Sequence, residues 1–372
     1  MTVLRWAWQS LISKRVSFWS SALGVASAFI LVMFFDAVFR GEAKQIVAYL
    51  VQAKPSVWVM QSGVSNMHMS SSFIWDWKAD RIRQMSEVER VTPILYLNSV
   101  VRTGGKDWFS YIVGLESDSQ GRAVARHIAA GRGMPNPGEV VIPDVIGKLT
   151  NIGVGDYVFL TDKKLKVVGI SEGMFSMANP VFFVAFSDLD DILSSSGTYS
   201  YLLVDARPGV DARQLADKIM NEVEKVNALP HDAFVKSDFA MALKMGVEII
   251  SIMTIIGSTL AALLVGFTSY TQVMSKRRDL GIAKAVGIPR RAIYGAVIFQ
   301  SLCITGLGFM MAALFAFLVM PYIHTLLPQI TLVVSPAQVG KVGLVAIPVA
   351  FLGALIPGYL VMRLDPALVF HN

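Results

Sequence analysis

The sequence is nearly free of cysteine and unusually poor in charge. Cys303 is its one cysteine, so no disulfide can form within the chain and any folded domain must rest on its own core. Charged residues make up 16% of the chain, against about 25% in soluble globular domains. With 54% hydrophobic residues and a mean hydropathy of +0.54, this excludes an ordinary soluble monomer. A phosphate-binding loop is missing too. The Gly-Lys pairs at Gly105-Lys106, Gly147-Lys148 and Gly340-Lys341 lack the following Ser/Thr and the glycine five residues earlier. The chain is therefore expected to be no enzyme and not to hydrolyse ATP itself. No Ser/His/Asp or Cys/His arrangement suggests itself, because Cys303 lies in an apolar run and the five histidines are scattered. Neither internal repeats nor low-complexity tracts are found.

What the sequence does have is long apolar runs. Ile249–Gly266, Ala292–Met320 and Val342–Met362 approach or exceed the roughly 20 apolar residues that cross a hydrocarbon core. A fourth run, Phe18–Phe35, lies near the amino terminus. A secretory signal would end its short apolar stretch in small residues at a cleavage site. This run continues through Met33, Phe34 and Phe35 with no such pattern before Arg40, and it reads as an uncleaved helix.

The net charge of +6 is unevenly spread. Residues 40–238 hold 21 Lys+Arg and 23 Asp+Glu, whereas the remainder holds 12 basic and 4 acidic residues. The excess clusters at Arg5, Lys14 and Arg15, at Lys276, Arg277, Arg278, Lys284, Arg290 and Arg291, and at Arg363. No basic residue follows Arg291 until Lys341. Basic loops stay on the cytoplasmic side. The pattern thus predicts a multi-pass protein of the cell (inner) membrane, with both termini and the 275–291 loop in the cytoplasm and 40–238 outside. The excess charge is explained by topology, so no nucleic-acid partner is expected.

The expected order is an interfacial helix at 1–17, a first span at 18–39, an extracytoplasmic domain at 40–238 and a second span at 239–274. A cytoplasmic helix at 275–291, a third span at 292–320, an outer loop at 321–340, a fourth span at 341–363 and a tail at 364–372 follow. The fold class is then a membrane α-helical protein of four transmembrane helices with an α+β extracytoplasmic domain. The first span runs on past Phe35 to Val51 with helical period and less apolar character, as a stalk would. Ser237 and Asp238 read as the start of the second helix. Between the stalks come short β-rich runs, among them Ser56–Gln61, Val91–Leu97, Tyr111–Gly114, Glu139–Ile142, Asp156–Leu160, Lys166–Ile170, Val181–Ala185 and Tyr201–Val204. Helical stretches interrupt them at Trp77–Met85, Asp144–Thr150, Asp188–Ser194 and Ala212–Val226, and two lobes are compatible with this order. Ser62–Ser72, rich in Ser and Met, reads as a mobile loop.

The most informative stretch is Ser275-Lys-Arg-Arg-Asp-Leu-Gly-Ile-Ala-Lys-Ala-Val-Gly-Ile-Pro-Arg-Arg291. Leu280, Ala283 and Val286 share a helical face, Gly287 is placed to end the helix as a left-handed cap, and Pro289 suits the first turn of the next span. Chemistry alone leaves two readings, a charged loop required by topology or a stiff basic helix that transmits force. The pattern is similar to the Arg-x-x-Glu-Leu-Gly-Ile-x-Arg-Ala-Leu-Gly loop of the FtsX-like/MacB-type permease family. It differs in Asp279 for Glu, Lys284 for Arg and Val286 for Leu. The ending Pro357-Gly-Tyr-Leu-Val-Met-Arg-Leu-Asp-Pro-Ala367 resembles that family's close. Gly138–Pro143, Ile152–Asp156 and Val167–Ile170 resemble its outer domain, where the Gly-Val-Gly-Asp turn leads into a barrel-like strand. The length and single outer domain resemble the four-span type near the DevC, haem-exporter and lipoprotein-release groups.

The resemblance implies the permease subunit of an ABC transporter, in which Arg278, Asp279, Leu280, Gly281, Ile282, Lys284, Ala285 and Gly287 dock on the ATPase. It implies two copies of a cytoplasmic ATPase subunit carrying ATP and Mg, a homodimer or a paralogous permease partner, and a periplasmic or outer-membrane partner as a further candidate. No cofactor is expected in this chain. Motion of the loop would drive export of a hydrophobic substrate such as haem, lipid, lipoprotein, peptide or drug. The alternative is a signalling protein of the same family that activates an extracytoplasmic partner without transport.

Two groups are candidate substrate contacts. Asp36 and Glu248 are acids near the spans, where an ionisable residue suggests function and would suit a cationic or metal-bearing substrate. Arg40 and Lys244, four residues away, offer each a structural partner instead. Met67, His68 and Met69, with Met174 and Met177, could hold a soft metal, but thioethers in a mobile loop more often meet an apolar partner, and no metal site is expected.

Overall fold

The computed structural model describes residues 15–68, 70–116, 125–177, 179–195, 197–242, 244, 248–275, 278, 282 and 286–363. The chain divides into two compact units. One holds residues 1–40, 249–326 and 332–372, and the other 41–248 and 327–331. The expected interfacial helix at 1–14 and the tail at 364–372 lie outside the described residues.

The elements run α1 (Arg15–Ile46), α2 (Ala48–Ala53), β1 (Val57–Gln61), β2 (Ile74–Trp75), α3 (Asp76–Arg83), β3 (Val88–Thr103), β4 (Lys106–Leu115) and β5 (Ile128–Gly131). Next come β6 (Glu139–Pro143), α4 (Asp144–Thr150), β7 (Tyr157–Leu160), β8 (Lys163–Ser171), β9 (Val181–Ala185), α5 (Phe186–Leu193), β10 (Thr198–Tyr199), β11 (Tyr201–Ala206), α6 (Ala212–Glu222) and β12 (Val226–Pro230). The chain ends in α7 (His231–Ala242), α8 (Glu248–Ser275), α9 (Arg290–Leu318), α10 (Met320–Leu326) and α11 (Pro336–Arg363).

In the larger unit the strands form one sheet organised by the long β3. Its first half, to Ile94, pairs antiparallel with β11, and β1 and β12 extend that side. Its second half pairs with β4, and near its end Val101 and Arg102 lie opposite Leu160 and Phe159 of β7. The order β3-β4-β9-β6-β8-β7 then returns to β3 and closes a six-stranded ring. The Gly153–Asp156 turn enters this ring: the Asp156 carboxylate accepts from the Gly153 N–H at 2.8 Å, and β7 follows. Two lobes therefore exist, but they share a strand rather than a linker.

Three apolar cores follow from this layout. Val57, Val59, Leu202 and Val204 face Ile82 of α3 and Leu215 and Ile219 of α6. Ile112, Val140, Val158, Val167 and Phe182 fill the ring. Trp58, Tyr111, Phe183, Tyr201 and Phe234 form a third, aromatic core, in which Trp58 stacks on Phe234 at 4.9 Å between centroids. The α6 helix starts where Asp211 accepts from the N–H groups of Arg213 and Gln214, a side-chain cap that replaces missing intrahelical partners.

The smaller unit is helical. Among the described residues two of its helices, α1 and α9, are long and apolar enough to cross a membrane, and Ile255–Thr268 and Pro336–Leu352 are shorter apolar stretches of α8 and α11. Its core joins Val25, Phe29 and Met33 of α1 to Ile304 and Ala312 of α9 and Ala346 of α11. Ser301 donates to the Ala350 carbonyl at 3.1 Å. Small residues matter here. A Cβ on Gly308 would stand 2.7 Å from a methyl of Val25 and 3.1 Å from the Ala22 carbonyl, so only glycine allows this approach, whereas one on Gly306 would meet nothing within 4 Å.

The helix after β12 begins at His231 rather than at Ser237 or Asp238. Asp238 lies inside α7, fully buried, because its carboxylate has another use, described below.

Candidate functional site

The segment between α8 and α9 is the first candidate. Arg278 and Ile282 are helical, Val286 donates to the Ile282 carbonyl at 3.0 Å, and Gly287 takes φ +88°. A left-handed residue there ends a helical turn without the strain that a Cβ brings. Pro289 sits one position before α9, extended at φ −64° and ψ 141°, and Arg290 is the first helical residue. Ile282 and Val286 are exposed, Val286 by 78%. Asp279, Leu280, Gly281, Lys284 and Ala285 lie outside the described residues.

The second candidate is Asp36. Arg40 donates to it twice, Nε to Oδ2 at 2.9 Å and an NH2 group to Oδ1 at 3.1 Å, which is the two-point geometry of a strong charge-assisted pair. The expected i, i+4 partner is thus present. Glu248 begins α8, and its side chain lies outside the described residues. Arg40 and Asp36 line a cavity of about 250 Å³ within the helical unit, together with Gln338 and Lys341 of α11. Lys341 carried no functional reading from the sequence, because a lone lysine at the start of an apolar helix looks like an interfacial anchor.

The third candidate, Met67-His68-Met69, is placed differently from the expectation of a mobile loop. Met67 is 2% and His68 6% exposed, and Met69 lies outside the described residues. The buried Asp238 accepts from the Met67 and His68 N–H groups at 2.6 and 3.1 Å, and its other oxygen lies 2.6 Å from His68 Nδ1. Tyr201 donates toward the Asn66 and Ser70 carbonyls, and Asn227 donates to that of Val64. These bonds hold the loop against the aromatic core, where the Met67 and His68 side chains are sealed from solvent. Met174 is buried in the same core and Met177 is exposed, which separates the proposed soft ligands. Among the described residues no group of three or more His, Cys, Asp or Glu side chains converges as a metal site would. Burial pushes the Tyr111 and Tyr201 hydroxyls well above the ordinary tyrosine range, which keeps them neutral. The sequence carried one signal for this cluster, Asp238 itself, which helix periodicity assigned to a cap.

Known proteins resemble this chain along most of its length. Residues 19–222 match the MacB-like periplasmic core domain and residues 251–366 match the FtsX-like permease C-terminal domain. An uncharacterised ABC transporter permease of Mycobacterium tuberculosis is 24% identical over 336 residues, covering 89% of this chain and 88% of that protein. Another, from Methanocaldococcus jannaschii, is 24% identical over 163 residues, 40% of this chain and 39% of that protein. The crystal structure of the periplasmic region of MacB from Actinobacillus actinomycetemcomitans aligns over 52% of this chain and 96% of that chain, at 12% identity and a TM-score of 0.39. With the α+β outer unit matching the first domain family and the helical unit the second, the chain belongs to the FtsX-like/MacB-type family of ABC transporter permeases.

Proposed function

We propose that this protein is the membrane subunit of an ATP-driven exporter of the mechanical type, crossing the bilayer four times with its α+β unit outside. The observation that carries this reading is the segment between α8 and α9. Within it Arg278 and Ile282 are helical, Gly287 takes the left-handed conformation that ends a helix, Lys and Arg are plentiful, and Ile282 and Val286 are exposed with nothing over them among the described residues. A basic strip with apolar knobs suits an anionic lipid surface or a partner protein, and the similarity of this chain to ABC transporter permeases makes an ATPase the natural occupant. The sequence 278–287 then acts as a lever: closure of two ATPase subunits pushes it, and the few residues that join it to α8 and α9 pass the push on. A cavity with both charged and apolar walls in the helical unit favours transport over activation of an outer partner without transport.

The test is Leu280→Asp in the full chain co-expressed with its ATPase. A charge on the docking face should reduce co-purification and ATP turnover about tenfold or more, the effect of losing one buried apolar anchor. Unchanged association and turnover would remove the docking assignment. Protease mapping that found 275–291 outside the cell would remove the topology.

A further inference from the structure

On α1, Phe29, Val32, Asp36 and Arg40 recur at helical spacing on one face. Gln338, Lys341, Val342 and Val345 do so on α11, and Ser258 and Ala262 complete the wall from α8. The wall is sorted along the helix axes. Asp36, Arg40, Gln338 and Lys341 stand at one end, and Phe29, Val32 and Val345 at the other. The stretch from Phe29 to Arg40 rises about 16 Å, close to half of a bilayer core of about 30 Å.

The charge at the polar end has a definite sign. Asp36 is held by two donors of Arg40, and this two-point pairing with one guanidinium balances its charge. Lys341 pairs with no acid among the described residues, is exposed, and shares the cavity with that pair. Two cations against one carboxylate leave a net positive end. An acid at membrane depth would by itself suggest a cationic substrate, but here the carboxylate is already spoken for.

We propose that this cavity binds an anionic lipid of the outer leaflet, with one acyl chain along Phe29, Val32 and Val345 and the phosphate held by Lys341 and Arg40. The assignment rests on the four-span topology proposed above, which puts the polar end at the outer interface, and it narrows the hydrophobic substrate to an acidic amphiphile. A neutral lipid makes the same apolar contacts but leaves Lys341 unpaired. The volume of about 250 Å³ falls below the usual range of sites for drug-sized ligands, about 300–1,000 Å³, and suits one slim chain better than a flat macrocycle.

The experiment uses the full chain in nanodiscs of zwitterionic lipid, without ATPase or nucleotide. It compares lysophosphatidylglycerol with lysophosphatidylcholine of the same acyl length by native mass spectrometry, with size-exclusion profiles as the check on folding. The anionic probe should bind about tenfold tighter. Lys341→Gln should bring the two affinities together, and Ala262→Trp, which fills the cavity, should weaken both. Asp36→Asn frees Arg40 and should raise affinity for the anionic probe about threefold; a merely structural pair would show no gain. Equal affinities in the unaltered protein, a preference that survives Lys341→Gln and Ala262→Trp, or weaker anionic binding in Asp36→Asn would each overturn the site. Stimulated turnover in the complex with the ATPase is read separately. Lost lipid preference with intact coupling defeats this site alone, and lipid binding without ATPase association defeats the functional reading alone.

Discussion

In the outer unit the side chains sealed from solvent are large, Trp58, Tyr201, Phe182, Phe183 and Phe234 among them, whereas in the helical unit they include Ala22, Ala312, Ala316 and Ala350. Apart from a few such as Phe29 and Met33, the helical unit turns large side chains outward: Met310, Leu314 and Leu344 are each exposed by 60% or more. Water drives large apolar groups inward. Lipid tails are as apolar as leucine, so helices in a bilayer gain little by hiding large side chains and associate where small ones let backbones approach. One polypeptide thus follows two packing rules, and the change of solvent explains the difference.

That contrast can be broken most severely at Trp58. Trp58→Ala removes a stacked indole from a sealed core and should cost about 3–5 kcal/mol, read as a lowered denaturation midpoint of the outer domain in the full chain. Leu314→Ala, an equally drastic truncation on paper, should change thermal stability in lipid by less than about 0.5 kcal/mol. Similar costs at the two sites would end the two-rule account.

A smaller effect sharpens it from the other side. Gly308→Val places a side chain where Val25 already stands and should destabilise the helical unit by about 1–3 kcal/mol, measured by thermal aggregation in detergent. Gly306→Ala, with open space around it, should be silent. If both were silent, close approach at α1 and α9 would not be holding these helices.

The smallest effect concerns acid. Burial holds the His231 imidazole below its ordinary value of 6.5, so the unfolded chain takes up the proton first. The stability that neutral His231 provides is complete above that value and is lost as pH falls through the lower folded one. Its Nδ1 accepts from the Trp58 indole N–H at 3.4 Å, and a protonated ring could not. The outer domain should melt earlier at pH 5.5 than at pH 7.5, and His231→Gln, which retains an acceptor, should reduce that difference. The helical unit, with no such histidine in its core among the described residues, should not follow the same curve.

Much of the outer unit was legible. Strands expected at Glu139–Ile142, Val181–Ala185 and Tyr201–Val204 overlap β6, β9 and β11, and helices at Asp144–Thr150 and Asp188–Ser194 overlap α4 and α5, because these runs are short, apolar and bounded by turn residues. Ile128–Gly131 and Val226–Pro230 were not, since the first is one isoleucine, two alanines and a glycine at a sheet edge and the second follows a helix without a break in composition. Of the candidate site, the Asp36–Arg40 pair was visible as an i, i+4 spacing, while Lys341 joins it only through the packing of α11. The burial of Met67 and His68 was hidden because its cause, Asp238, is 170 residues away.

The sequence by itself determined the apolar runs, the segments in which basic residues gather, the α+β composition of the outer unit and the motifs that mark the family, since each depends on neighbours within a few turns or strands. The tertiary structure decided that β3 serves two lobes at once, that Met67 and His68 of a Ser- and Met-rich loop are buried, and that a lysine of α11 lines the same cavity as the ion pair of α1. Those outcomes depend on which distant groups satisfy a buried carboxylate, a strand edge or a charge, and local periodicity carries no record of such partners.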